Sequence, residues 1–259
     1  MFVYQEKTAL ITGASSGIGY AFAHALAVRH MNVVLVARSE ERLRSLATEL
    51  SRQYHVRAEV IVADLSQEHA ALSLQREVEQ RGLVIDLLIN NAGFAINGFF
   101  ETIAPERDHQ QVKVDVTTVV DMTHAFVPSM VARGEGAIIN IASTAGFQPL
   151  PYMAVYGASK AFVLSFSQAL SEEYRGHGLR VLALCPGATE TPFFDLAGEA
   201  ASVGVRRTPE QVVATGLLAL ERGQSIVVDG RANALLAFAP RLLPRWLVAR
   251  IAGQSVRPR

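Results

Sequence analysis

Short runs of consecutive apolar residues recur along the chain, and each is followed by a stretch in which apolar side chains return every three or four positions. The runs Thr8 to Thr12, Asn32 to Ala37, Glu59 to Ala63, Val84 to Ile89, Ala137 to Ile141, one ending near Cys185, and Ser225 to Asp229 read as strands buried on both faces. Helical patterns lie between them: from the glycine-rich turn to about His30, then 40–53, 105–132 and 155–176. A last long helix opens at Thr208-Pro209-Glu210-Gln211, where a threonine cap, a proline at the first helical position and a capping-box glutamine coincide. This alternation predicts an α/β fold, a doubly wound parallel β-sheet flanked by helices on both faces.

A chain of 259 residues, half of them hydrophobic, can bury a large core as one domain. Basic and acidic side chains balance at 24 each, so no overall field recruits nucleic acid. Cys185 is the only cysteine, which excludes an internal disulfide and a cysteine-based metal cluster, and the seven histidines lack ligand spacing. No metal is expected. The first seven residues lead straight into the strand at Thr8, leaving no room for a signal peptide, and no uncharged apolar run reaches membrane-spanning length. The expected location is the cytoplasm.

The chemistry concentrates in residues 143–160. Tyr156 and Lys160 are four apart, so a helix starting near Val155 places phenol and ammonium on one face. A positive charge there is expected to lower the tyrosine pKa from about 10 toward neutrality, making Tyr156 a proton donor or acceptor for a hydroxyl or carbonyl oxygen. Ser143, at a strand end, could hold the same oxygen. An alcohol that loses its proton to Tyr156 must lose a hydride elsewhere, so the site needs a nicotinamide. A surface lysine beside a packed tyrosine would carry the same letters, but the N-terminus favours the chemical reading. There, Thr12-Gly13-Ala14-Ser15-Ser16-Gly17-Ile18-Gly19 joins strand to helix, with glycines suited to a tight turn, a close approach to pyrophosphate and helix–strand packing. Arg38 and Ser39 follow the second strand, where an arginine rather than an acid points to a 2′-phosphate and hence to NADP(H), with NAD(H) possible. Asp64 and Leu65 end the third strand, along the expected adenine, and Asn90-Asn91-Ala92-Gly93 ends the fourth.

In motif order and register the chain resembles the short-chain dehydrogenase/reductase family from Thr8 to about Gly230: Thr12-Gly13…Gly17-x-Gly19, Asp64, Asn90-Asn91-Ala92-Gly93, Ser143, Tyr156-x-x-x-Lys160 and Pro186-Gly187-x-x-x-Thr191. The resemblance implies a Rossmann-like catalytic domain over 1–230 and NAD(P)-dependent interconversion of an alcohol and a ketone or aldehyde. Tyr156 would be the acid/base, Lys160 would bind the nicotinamide ribose and tune Tyr156, and Ser143 would position the substrate oxygen. Pro186, Gly187, Thr189 and Thr191 would hold the nicotinamide; Ser15, Ser16, Ile18, Asn91, Ala92 and Gly93 complete the expected cofactor contacts. It also implies a homodimer or homotetramer paired through the helices at 105–132 and 155–176.

One position departs from the family. Where such chains carry an asparagine whose backbone carbonyl helps link the lysine to solvent, this one has Asp115. A carbonyl role survives any side chain; the rival reading is a catalytically impaired NADP(H)-binding sensor or scaffold. Phe94, Phe99, Phe100, Phe147, Tyr152, Phe193, Phe194 and Leu196 are expected to rim a pocket for a hydrophobic carbonyl or alcohol, an acyl or ketoacyl group being one candidate, under a mobile lid at 192–207. The extension 231–259 is apolar and basic, with Leu242, Leu243, Trp246, Leu247 and Ile251 expected on one helical face. Packing on the same domain or a partner is the favoured reading; covering the substrate pocket and lying on a membrane surface are the alternatives.

Overall fold

The computed structural model describes residues 2–258. Seven parallel strands form one sheet: β1 (Thr8–Thr12), β2 (Asn32–Ala37), β3 (Ala58–Val62), β4 (Leu87–Asn90), β5 (Gly136–Ile141), β6 (Leu179–Cys185) and β7 (Ile226–Val228), in the order β3-β2-β1-β4-β5-β6-β7. Because successive side chains on a strand point to opposite faces, each apolar run feeds two cores. Ala9, Ile11, Val33, Leu35, Leu182 and Leu184 join one, under α1 (Gly17–Ala27), α2 (Glu40–Tyr54) and α8 (Pro209–Glu221). Leu10, Val34, Val36, Leu88, Ile138 and Val181 join the other, under α3 (Ala70–Gln80) and α5 (Thr118–Arg133). Order reverses between β1 and β4, the place where open sheets of this kind bind ligands.

The fourth strand begins three residues later than the apolar pattern suggests. Val84 is exposed, and Asp86 takes the end of the ladder: its backbone N–H donates to the Thr8 carbonyl and its carboxylate accepts from the Thr8 N–H at 2.9 Å. Ser39 occupies the N-cap of α2 but makes no side-chain cap bond, whereas the Thr208–Gln211 capping box forms as read.

Helix α4 (Pro105–Val112) runs into α5 through a π-turn at Lys113–Thr117, where Thr118 N–H reaches back five residues to the Lys113 carbonyl. Asp115 is the centre of that turn and is completely buried. Helix α6 (Ala154–Glu173) carries Tyr156 and Lys160. After β6, the segment expected to be a lid contains α7 (Phe193–Ala197) and a short 3₁₀ turn, and its far end is pinned. Arg207 bridges to Thr189, and its guanidinium meets the fully buried Asp229 at 2.6 Å.

The last residues form α9 (Arg231–Phe238), a 3₁₀ turn and α10 (Arg245–Ser255), and they pack on this same chain. A Cβ on Gly187 would collide with the Asn233 side chain, and one on Gly253 would lie 3.1 Å from Pro151. The expected single face of Leu242, Leu243, Trp246, Leu247 and Ile251 does not form. Pro244 breaks the segment, so Leu242 and Leu243 precede α10, whose buried stripe is instead Val248 and Ala252, continued by Val256.

Candidate active site

A cavity of about 1140 Å³ runs along the carboxyl ends of β1, β2, β4, β5 and β6. At one end are Gly13, Ser15, Ser16, Gly17 and Ile18. Gly17 has φ 57°, and a Cβ there would stand 2.9 Å from Thr191, so only glycine lets this turn pass the β6 loop. The N-cap of α1, Ser16, makes no side-chain cap bond, which leaves the first-turn amides directed at the cavity. Arg38, Ser39 and Arg42 stand beside them, with Asp64 and Leu65 nearby. The Ser66 backbone N–H, more than Arg38, holds the Asp64 carboxyl below the usual range.

The turn is braced by groups whose roles the motif alone did not disclose. Thr12 Oγ1 donates to the Ile89 carbonyl and accepts from the N–H groups of both Asn91 (2.9 Å) and Ala92 (3.0 Å). The Asn91 side-chain amide donates to the Thr12 carbonyl at 2.8 Å. Behind them a buried polar chain ties β4, β5 and α6 together: Asn90 Nδ2 donates to Asn140 Oδ1, and Asn140 Nδ2 to Ser167 Oγ. Asn140 and Ser167 sit inside apolar-looking runs, and their burial is what makes them visible.

Further along lie Ala92, Gly93, Ser143, Tyr156, Lys160, Pro186, Gly187, Thr189 and Thr191. Lys160 Nζ donates to the Ile141 carbonyl at 3.0 Å and lies 5.7 Å from the Tyr156 ring centroid. The expected lowering of Tyr156 by Lys160 is not found. Burial pushes the phenol well above its ordinary value, the Ser143 hydroxyl pulls it down, and the negative charge of Asp115 pushes it further up. Lys160 Nζ is turned to the Ile141 carbonyl on β5, and burial rather than the lysine charge dominates the phenol.

Two expected site residues do not line the cavity. Gly19 is buried against the Gly13 carbonyl, as a packing glycine. Asp115 lies behind Gly93: a Cβ on Gly93 would stand 2.7 Å from Asp115 Oδ1 and 3.4 Å from Lys160 Nζ. Oδ1 accepts from Phe94 N–H at 3.2 Å, while Oδ2 is buried without a partner. Burial raises this carboxyl to about 6, with Lys160, Phe94 N–H and Gln111 opposing the rise. Asp115 therefore stands behind the cavity wall, against the Gly93 backbone and near Lys160, rather than on the cavity surface.

The far end of the cavity is apolar. Of the residues expected there, Phe94, Phe193, Phe194 and Leu196 line it. Phe99 and Tyr152 stack edge-on with each other, Phe100 is largely exposed, and Phe147 packs against the core beneath β6. Their places are taken by Leu150 and Met153, and by Leu236, Leu243, Val248 and Ile251 of the C-terminal segment. Covering the substrate pocket was one of the readings the apolar tail allowed, but its sequence did not say which side chains would reach the cavity.

Residues 7–201 match the family described as short chain dehydrogenase. The chain belongs to the short-chain dehydrogenase family. As a member of this family it is an oxidoreductase acting on hydroxyl or carbonyl groups. Its relatives include a very-long-chain 3-oxoacyl-CoA reductase of Bos taurus, 33% identical over 97% of this chain and 81% of that protein. A short-chain dehydrogenase from Sphingobium yanoikuyae in complex with NADPH superposes with TM-score 0.83 at 33% identity, covering 98% of this chain and 96% of that one. A bulky-bulky ketone specific alcohol dehydrogenase from Comamonas testosteroni gives TM-score 0.78 at 32% identity, covering 91% and 93%.

Proposed function

We propose that this short-chain dehydrogenase uses NADP(H) to interconvert a bulky, largely apolar ketone or aldehyde and its alcohol, with Tyr156 as acid/base. One observation carries the reading: a single cavity joins the arginine-flanked glycine turn to Ser143 and Tyr156 and continues into an apolar end. The residues fit a dinucleotide. Glycine-turn amides open toward a pyrophosphate, Arg38 and Arg42 offer planar donors for a 2′-phosphate, and the Asn91–Gly93 strand end flanks the path between them. Bound there, the nicotinamide would supply or accept a hydride.

The chain's own residues do the remainder. Ser143 Oγ accepts from Ala145 N–H at 3.1 Å and donates only at long range, 3.5 Å, to the Pro186 carbonyl, so its hydroxyl proton can turn to a substrate oxygen and steer it toward Tyr156. Burial keeps Tyr156 protonated, so a proton stands ready for the oxygen of a carbonyl undergoing reduction, while the raised pKa makes this phenol a weaker acid than a free tyrosine. Lys160 fixes α6 to β5 and carries a positive charge beside the ribose position. Phe193, Phe194, Leu150 and Met153 exclude water around the reacting carbon and favour an apolar substituent. The ketoacyl substrate of the bovine relative and the bulky ketones of the Comamonas enzyme agree with that preference. We place pairing of two copies on α5 and α6, where exposed Phe162 stacks on Phe166 at 5.6 Å.

Titration with NADPH and NADH, followed by turnover of small polar and bulky apolar ketones, tests this function. NADPH should bind at least about tenfold tighter than NADH, Arg38→Asp should erase the difference, and Tyr156→Phe should abolish turnover while binding persists. Tight NADPH binding without turnover of any carbonyl would instead support a sensor role, and equal turnover of small polar ketones would remove the apolar-substrate assignment.

A further inference from the structure

The charge balance of the whole chain conceals a strong local asymmetry. Between Gly230 and Pro258 there are five arginines, at 231, 241, 245, 250 and 257, and no aspartate or glutamate. All five are exposed, and none has a carboxylate partner within 4.0 Å among the described residues. Large apolar side chains are exposed between them. Leu235 is 70% exposed, Leu242 72% and Trp246 67%, all away from the packed stripe of Val248, Ala252 and Val256. Leu236, Leu243 and Ile251 belong at once to this surface and to the cavity lining, each about half-exposed at the rim. The apolar surface therefore continues into the cavity mouth.

We propose that this C-terminal face docks on a lipid bilayer carrying anionic headgroups, with the cavity mouth turned toward the acyl chains. Arginine pairs with lipid phosphates through its planar donors, and tryptophan settles at headgroup depth. No helix of the described residues is long and apolar enough to cross a membrane, so the contact lies along the surface. A second copy of the chain is the poorer occupant. A twofold contact sets the same patch against itself, and here that would oppose arginines to arginines with no acid to meet them. Given the apolar substrate proposed above, docking would let it pass from bilayer to cavity without crossing water. The docking itself does not depend on that reading.

Flotation of the full-length protein with vesicles of phosphatidylcholine alone, or mixed with phosphatidylserine, tests the surface, with NADPH binding measured in parallel to verify the fold. The mixed vesicles should carry the protein and the neutral ones should not. Leu242→Asp with Trp246→Asp, and separately Arg241→Glu with Arg245→Glu, should each reduce binding by about tenfold or more, since each basic residue near an anionic surface contributes about fivefold. These side chains lie outside the cavity, so NADPH binding and turnover of a soluble ketone should be unchanged. Absence of flotation, or flotation indifferent to both pairs, overturns the proposal. So does a concentration-dependent oligomer that Leu242→Asp with Trp246→Asp dissociates, which would show a second copy covering the face. Loss of turnover with flotation intact would count against the proposed reaction alone.

Discussion

Replacing Asp115 with asparagine should stabilise the protein, and the gain should depend on pH. The carboxyl is completely buried at the centre of the π-turn, with Oδ2 unpartnered, and burial lifts its pKa from 3.8 to about 6. A folded-state value above the unfolded one means that folding favours the protonated acid. The penalty is therefore absent below about pH 4, grows as pH rises toward 6, and is complete above about 7. At about 1.36 kcal/mol per unit, a displacement of about two units corresponds to about 3 kcal/mol at pH 8 and about half of that at pH 5. Asparagine keeps the shape and an oxygen for the Phe94 N–H, but carries no charge. For a domain of this size the unfolding temperature of Asp115→Asn should exceed the parent's by about 6 °C at pH 8 and about 3 °C at pH 5. Thermal scans at fixed ionic strength from pH 4 to 8 give the comparison. A difference of the same size at pH 5 and pH 8, or a loss at pH 8, would refute the reasoning, because only the titrating proton makes the effect vary. Turnover measured on both proteins separates stability from competence: an active parent excludes the sensor reading, and a dead parent revived by asparagine would establish it.

Thr12→Val should cost about 2–3 kcal/mol in urea unfolding, because it strands the N–H groups of Asn91 and Ala92 and the Ile89 carbonyl together. It should also weaken NADPH binding, since the same bonds hold the glycine turn. Cys185 should resist thiol reagents at pH 8 in the folded protein and react only at the rate of global unfolding. It is fully buried, and burial pushes its thiol up to about 12. Fast labelling of the native protein would show that the β6 end opens locally.

The alternation of apolar runs and helical periods was enough to predict the sheet, since strands covered on both faces must be apolar throughout and helices covered on one face only in stripes. The spacing of Tyr156 and Lys160, the glycine turn and the arginine after β2 were legible for a similar reason: each depends on neighbours within one turn or one strand end. What the sequence could not settle depended on residues distant along the chain. Burial beneath segments distant in sequence raises the tyrosine, and Asp115 adds its charge behind Gly93, where a two-residue argument lowered it. Pro244 set the break in the tail, but only packing against Gly187, Pro151 and Asn97 decided which of its side chains close the cavity and which remain exposed. Local geometry follows from local sequence; charge environment and burial are sums over every chain segment that folds into the same few ångströms.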